Sequence, residues 1–282
     1  MATIHLVING KGGVGKSCVA STLLQYFNEL GVPARGIDAD AANNTFGSYR
    51  ELDVEILPLV AEGNRIEPTE FDRIADIAAA MPEDGHLVID TGASAYRQLC
   101  QYLLDINAFG ADGVYRECGH SIVIHTVVAG GGGLSDSLDG LNDIIVNFKT
   151  IPLDGEPTDD MLTFTFERGR ESFTRQFVTD IPLVVWLNPK DGRIQIDGKE
   201  FFDFTIYQKC SPAIDAVVTL PIHDAATFGK DVSELLTRRE TFDAAINSSS
   251  RPIMTRHRLK RYWGEIRDEL NMANVIAIGE MQ

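Results

Sequence analysis

The stretch NGKGGVGKS, residues 9 to 17, limits this chain more than any other. Gly10, Gly15, Lys16 and Ser17 fall on the spacing G-x-x-x-x-G-K-[ST], with the apolar run IHLVI before it and SCVASTLLQYFNELG, at helical spacing, after it. A strand, a glycine turn and a helix in that order converge backbone N–H groups on an anion, and the helix adds its positive N-terminal end. The reading is a phosphate-gripping loop made by Gly10, Lys11, Gly12, Gly13, Val14, Gly15, Lys16, Ser17 and Cys18. Lys16 belongs on the β- and γ-phosphates, and the Ser17 hydroxyl on a Mg²⁺ ion. A plain glycine-rich turn is the alternative, and the coincidence of strand, spacing and helix argues against it.

Composition narrows the rest. With 282 residues, 44% of them apolar, the chain can bury a sizeable core. Its net charge of −16 leaves no broad attraction for nucleic acid or anionic lipid, so DNA contact would need a local basic patch and is not indicated by net charge. Cys18, Cys100, Cys118 and Cys210 are scattered, without a C-x-x-C pair, which suits a reducing compartment. No leader is legible, no run approaches the ~18 apolar residues of a membrane span, and the expected location is cytoplasmic.

Further along, strands and helices alternate, which predicts an α/β fold with a mostly parallel central sheet covered by helices on both faces. VPARGIDAD (32–40) reads as a second strand ending in Asp38 and Asp40, and residues 43–85 as helix and loop. HLVIDTGAS (86–94) is a strand ended by Asp90, and SIVIHTVVA (121–129) another, with His125 as a core histidine. The run Gly130–Gly133 reads as a flexible connection, or as a second phosphate or partner contact. Residues 149–180 form an insertion or hairpin, with ERGRESFTRQFVTD within it expected as a helix. IPLVVWLNPKDG is a core strand ending at Asn188, and Asp197-Gly198 turns a second inserted hairpin within about 192–210. A basic helix over about 251–271, with Leu259, Trp263, Ile266 and Leu270 at helical spacing, reads as a capping helix with a solvated face, the alternatives being a partner- or DNA-contact helix and a membrane-surface helix. Without a linker or repeat, the 282 residues read as one domain.

Lys11 is the less ordinary feature, because the loop spacing leaves its position free. The string K-G-G-V-G-K-S resembles the deviant Walker A loop of the ParA- and MinD-type P-loop ATPases, and several further strings, among them NNTFGSY (43–49), VIDTGAS (88–94) and TFGKDV (227–232), resemble a branch serving plasmid conjugal transfer. The resemblance implies a three-layer P-loop NTPase fold, ATP and Mg²⁺ as ligands, slow hydrolysis to ADP and phosphate, and an ATP-dependent homodimer working with a protein partner in a transfer or partition complex. It implies catalytic roles for Lys11, Lys16 and Asp40: Lys11 reaching the partner's nucleotide like an arginine finger, and Asp40 orienting the attacking water. It places Asp38 and Asp90 with Ser17 about the metal, and Asn188 on the base edge. The family usually has proline after the second aspartate, whereas Ala41, Ala42, Asn43 and Asn44 stand here. A scaffold that binds nucleotide with negligible hydrolysis, and a metabolic P-loop ligase or kinase, remain as alternatives. No guanine-reading N-K-x-D string follows the core strands, NPKDG (188–192) being offset.

Overall fold

A computed structural model describes residues 2–40, 43–57, 60–61, 65–66, 68–108, 113–153, 156, 162–168, 171–178, 181–189 and 192–278. Ala41, Ala42, Lys190 and Asp191, which figured in the sequence reading, lie outside the described residues. The centre is a sheet of seven strands: β1 (Thr3–Val7), β2 (Ala34–Ala39), β3 (Val54–Ile56), β4 (His86–Thr91), β5 (Ser121–Ala129), β6 (Leu183–Asn188) and β7 (Ala216–Thr219). Their order is β7-β6-β5-β1-β4-β2-β3, and every neighbouring pair is parallel. This is the predicted P-loop NTPase arrangement.

Alternate residues of each strand feed opposite layers, as a pleated sheet requires. Ile4, Leu6, Leu87, Ile89, Ile124 and Val185 pack on one side with α2 (Pro68–Ala79), α3 (Tyr96–Asp105) and α4 (Leu134–Phe148). Val7, Val88, Val127 and Trp186 pack on the other with α1 (Lys16–Leu30), α6 (Phe242–Asn247) and α7 (Ile253–Met272), α5 (Lys230–Arg238) lying just before these two. Leu259, Trp263, Ile266 and Leu270 form the buried stripe of α7. The helix is tied down by acidic partners: Arg258 to Asp231, Arg267 to Glu29, and the indole N–H of buried Trp263 to Glu29. Among the described residues, no helix is long and apolar enough to cross a membrane.

Histidines occur where the α1 side of the sheet would otherwise be apolar. The Trp186 indole N–H donates to His125 Nδ1 at 3.0 Å. An indole can only donate, so the proton of His125 sits on Nε2 and is donated to His5 Nδ1, 2.9 Å away. His5 Nε2–H then donates to His86 Nδ1, also at 2.9 Å. The Phe27 ring stacks on His86 with centroids 4.1 Å apart. His5, His86 and His125 are all buried, and burial lowers each pKa, to about 4 for His86 and about 3 for His125. A row of three neutral imidazoles thus runs across β4, β1 and β5 and is continued onto β6 by the Trp186 indole, which bears out His125 as a core residue.

The structure corrects two element readings. Residues 171–177 are a strand, not a helix: Glu171–Phe177 pairs antiparallel with Thr163–Arg168 and with Thr150–Pro152 in a separate three-stranded sheet. Phe173, Thr174 and Phe177 favour a pleated surface, and ladder pairing on both edges outweighs the charged residues that suggested a helix. Within 43–85, Val54–Ile56 is a strand that pairs with β2 and completes the sheet edge. Three residues are too few to carry a periodic signal. The second hairpin stands as read, with Gln195–Ile196 against Lys199–Glu200 and both turn residues at positive φ, Asp197 at 50° and Gly198 at 80°.

Candidate functional site

The loop between β1 and α1 has a fixed backbone. Gly13 lies at φ 77° and Gly15 at φ 110°, conformations that side-chain-bearing residues rarely adopt. Space imposes a second condition at Gly15, where a Cβ would stand 2.4 Å from Asn188 Nδ2. That amide donates to Val14 O at 2.8 Å, so Asn188, at the end of β6, braces the loop from outside. Asn9 braces it from below: fully buried, it donates to Thr126 Oγ1 and Val127 O at 3.1 Å and accepts the Lys11 N–H at 2.8 Å. Gly10 rests on the Tyr96 ring of α3, which a Cβ would approach to 2.9 Å.

Sheet register gathers the charges. Val7, Asp90 and Asp38 are direct neighbours across β1, β4 and β2, at the strand ends where the loop begins. Lys16 is buried, its ammonium donating to Lys11 O at 3.1 Å; burial lowers its pKa, while Asp90 and Asp40 act to raise it. Asp38 is fully buried and holds the following loop, its two oxygens accepting the N–H groups of Asp40 at 3.1 Å and Gly47 at 2.7 Å. Burial raises the Asp38 pKa. Asp40 lies against Gly92, where a Cβ would come within 2.7 Å of its Oδ1. The segments after β2 and after β4 therefore meet at Asp40.

Asp90 tests whether a cation suits this place. Among the described residues both its carboxylate oxygens are buried without a hydrogen-bond partner, while the nearby Ser17 hydroxyl favours the charged form. Burial pushes its pKa up to about 7, Asp38 and Asp40 push the same way, and Ser17 and Lys16 oppose. A buried carboxylate with two unused oxygens, beside a hydroxyl and two further carboxylates, is a hard oxygen donor set of the kind Mg²⁺ takes. The residues fit the ion.

Above this cluster lies a cavity of about 1060 Å³, lined by Gly12, Gly13, Gly15, Lys16, Ser17 and Cys18 on the loop side. Asp40, Asn188, Pro189, Pro221 and His223 also border it. Eight of the thirteen sequence-predicted positions thus line one cavity, while Gly10, Lys11, Val14, Asp38 and Asp90 do not. Lys11 points elsewhere, its ammonium paired with Asp136 in the first turn of α4. Asp38 is turned into the backbone of its own loop. Sequence reasoning missed Asn9, Tyr96 and Asp136; Asn9, a polar residue interrupting an apolar strand end, was the one with a readable signal. The glycine run before α4 has a packing reason, since a Cβ at Gly130 would stand 1.9 Å from Gly192 O.

The family described as CobQ/CobB/MinD/ParA nucleotide binding domain matches residues 5–276. Two Escherichia coli proteins called TraL are each 34% identical over 276 residues, 98% of this chain and all of theirs. An uncharacterised ATP-binding protein of Methanocaldococcus jannaschii is 40% identical over 64 residues, 23% of this chain and 24% of that one. Among solved structures, the MinC:MinD cell division complex of Aquifex aeolicus aligns over 93% of this chain and 96% of that one at 12% identity, with a TM-score of 0.45. A loop braced by Asn188 and Asn9 at the head of a parallel sheet, matched by that family over nearly the full length, makes the chain a member of the CobQ/CobB/MinD/ParA nucleotide-binding family.

Proposed function

We propose that the protein is a Mg²⁺-dependent ATPase whose ATP-bound protomers pair and whose hydrolysis separates them, serving plasmid conjugal transfer. The observation that carries this reading is the convergence of Lys16 and the carboxylates Asp38, Asp40 and Asp90 beneath one glycine loop. The loop N–H groups and Lys16 hold the phosphates, and the part of the cavity bordered by Asn188, Pro189 and Pro221 takes the base. Ser17 and Asp90 would hold magnesium, with Asp38 alongside; when bound, the ion neutralises charge on the β- and γ-oxygens.

Asp40, kept in place by its contact with Gly92, orients the attacking water. Lys11 supplies a cation to the partner's transferring phosphoryl group, so that turnover is slow in the lone protomer. The conjugal role rests on the full-length similarity to TraL together with the strings NNTFGSY and VIDTGAS. Single-turnover hydrolysis by wild type and Asp40→Ala tests the mechanism. The proposal expects a fall of ~10²-fold or more, the scale of losing a group that acts in the transition state. Equal rates would remove Asp40 from its role and favour a scaffold that acts through its bound shape.

A further inference from the structure

Lys11 is set between two rigid supports. Its backbone N–H is held by Asn9, which is itself bonded into β5. Its ammonium is paired with Asp136. Asp136 is no loose surface acid: the next residue, Ser137, is fully buried, and its hydroxyl donates to Leu134 O at 2.9 Å and accepts the Ala129 N–H at 3.1 Å. Gly140, one turn later, leaves room for Asn9, whose Oδ1 would stand 2.5 Å from a Cβ there. The start of α4 therefore grips the same asparagine that holds the Lys11 backbone, and so fixes the carboxylate relative to the ammonium. These are residues of one protomer, 125 positions apart in sequence. A lysine in this contact is not available to a second nucleotide.

We propose that Asp136 is a positioning residue that keeps Lys11 in reserve within its own protomer, so that pairing of two ATP-bound protomers must exchange each Lys11–Asp136 contact for the partner's phosphates. This rests on the reading of Lys11 as acting in trans. The latch sets how much protein and nucleotide are needed before dimers form, and it re-forms when the phosphates leave. Its strength suits a threshold and not a block. Both side chains are partly exposed, 39% for Lys11 and 55% for Asp136, and such pairs are each worth ~1.4- to 5-fold in an equilibrium. Releasing two per dimer then shifts dimerisation by ~2- to 30-fold.

Sedimentation velocity of the full chain with Mg²⁺ and a non-hydrolysable ATP analogue tests this. The set is wild type, Asp136→Asn, Asp136→Glu, Lys11→Gln and the double variant Lys11→Gln/Asp136→Asn. The latch predicts that Asp136→Asn dimerises at ~2- to 30-fold lower protein concentration, with the gain shrinking as NaCl screens the wild-type pair. Asp136→Glu should restore wild-type behaviour, and the double variant should match Lys11→Gln. A dimer unchanged or weakened in Asp136→Asn, or a gain that persists without Lys11, overturns the latch. If Lys11→Gln fails to dimerise while Asp136→Asn shows no gain, the latch alone is wrong. If Lys11→Gln dimerises like wild type, the trans reading fails and takes the latch with it.

Discussion

Acidification should act against this fold through its buried imidazoles. His86 and His125 have an unfolded pKa near 6.5 and folded values of about 4 and about 3, and His5 and His120 are shifted in the same direction. Because the folded state resists protonation, the unfolded chain binds more protons below pH 6.5. Stability is therefore complete above that pH and falls as pH drops towards the folded values. Between pH 7.5 and 5.0, His86 and His125 lose about 2 kcal/mol each, about 4 kcal/mol together, against a total stability of about 5–15 kcal/mol.

Asp90 runs the other way. Its folded pKa of about 7 lies above the unfolded value of 3.8, so that its ionisation costs stability at high pH. Protonating it over the same window returns about 2–3 kcal/mol and hides most of the histidine effect. The measurement is therefore best made in Asp90→Asn, by urea unfolding at intervals from pH 7.5 to 5.0, with imidazole nitrogen shifts followed by NMR in the folded state. The expected slope near pH 5.5 is about 1.2 kcal/mol per pH unit for each histidine counted. A flat profile in Asp90→Asn, or imidazole signals of His5, His86 or His125 titrating near pH 6.5 in the native protein, would refute the assignment of three neutral bonded rings.

Other outcomes follow from the loop and its supports. Gly15→Ala meets both a positive φ and the Asn188 amide, and should cost at least ~10-fold in affinity for Mg·ATP by calorimetry while far-UV circular dichroism stays native. Asn188→Ala removes the Val14 brace and should destabilise the chain by about 1–3 kcal/mol in urea melts, since a buried acceptor loses its donor. Gly92→Ala presses on the Asp40 carboxylate and should lower single-turnover hydrolysis more than nucleotide affinity; a fall in affinity alone would count against Asp40 as the water-positioning group.

Much of this was legible because local signals agreed with one another. The glycine loop announced its strand, its helix and Lys16 together, and runs such as SIVIHTVVA and LVVWLN could only be buried strands. The parallel pairing of β2 with β4 then placed Asp38 and Asp90 side by side, which neither segment shows alone. What stayed hidden was non-local. The pairing of Lys11 with Asp136 and the imidazole row across β5, β1 and β4 depend on which distant segments the fold sets side by side. Residues 171–177 misled because charges at loose helical spacing carry no information about ladder partners. Asn188 shows the limit of a residue-by-residue reading: its strand-end position was readable, but its bond to Val14 exists only once β6 stands beside the loop.

The central claim is that the loop at residues 10–17 holds a purine triphosphate over Lys16. Isothermal titration of the purified chain with Mg·ATP tests it most directly, with Lys16→Ala as the control. The account predicts one site per chain in wild type and a loss of at least ~10² in affinity without the lysine, the scale of removing a charge-assisted contact from a buried site. No heat from ATP or any other purine triphosphate in the presence of magnesium, or equal binding by Lys16→Ala, would contradict it.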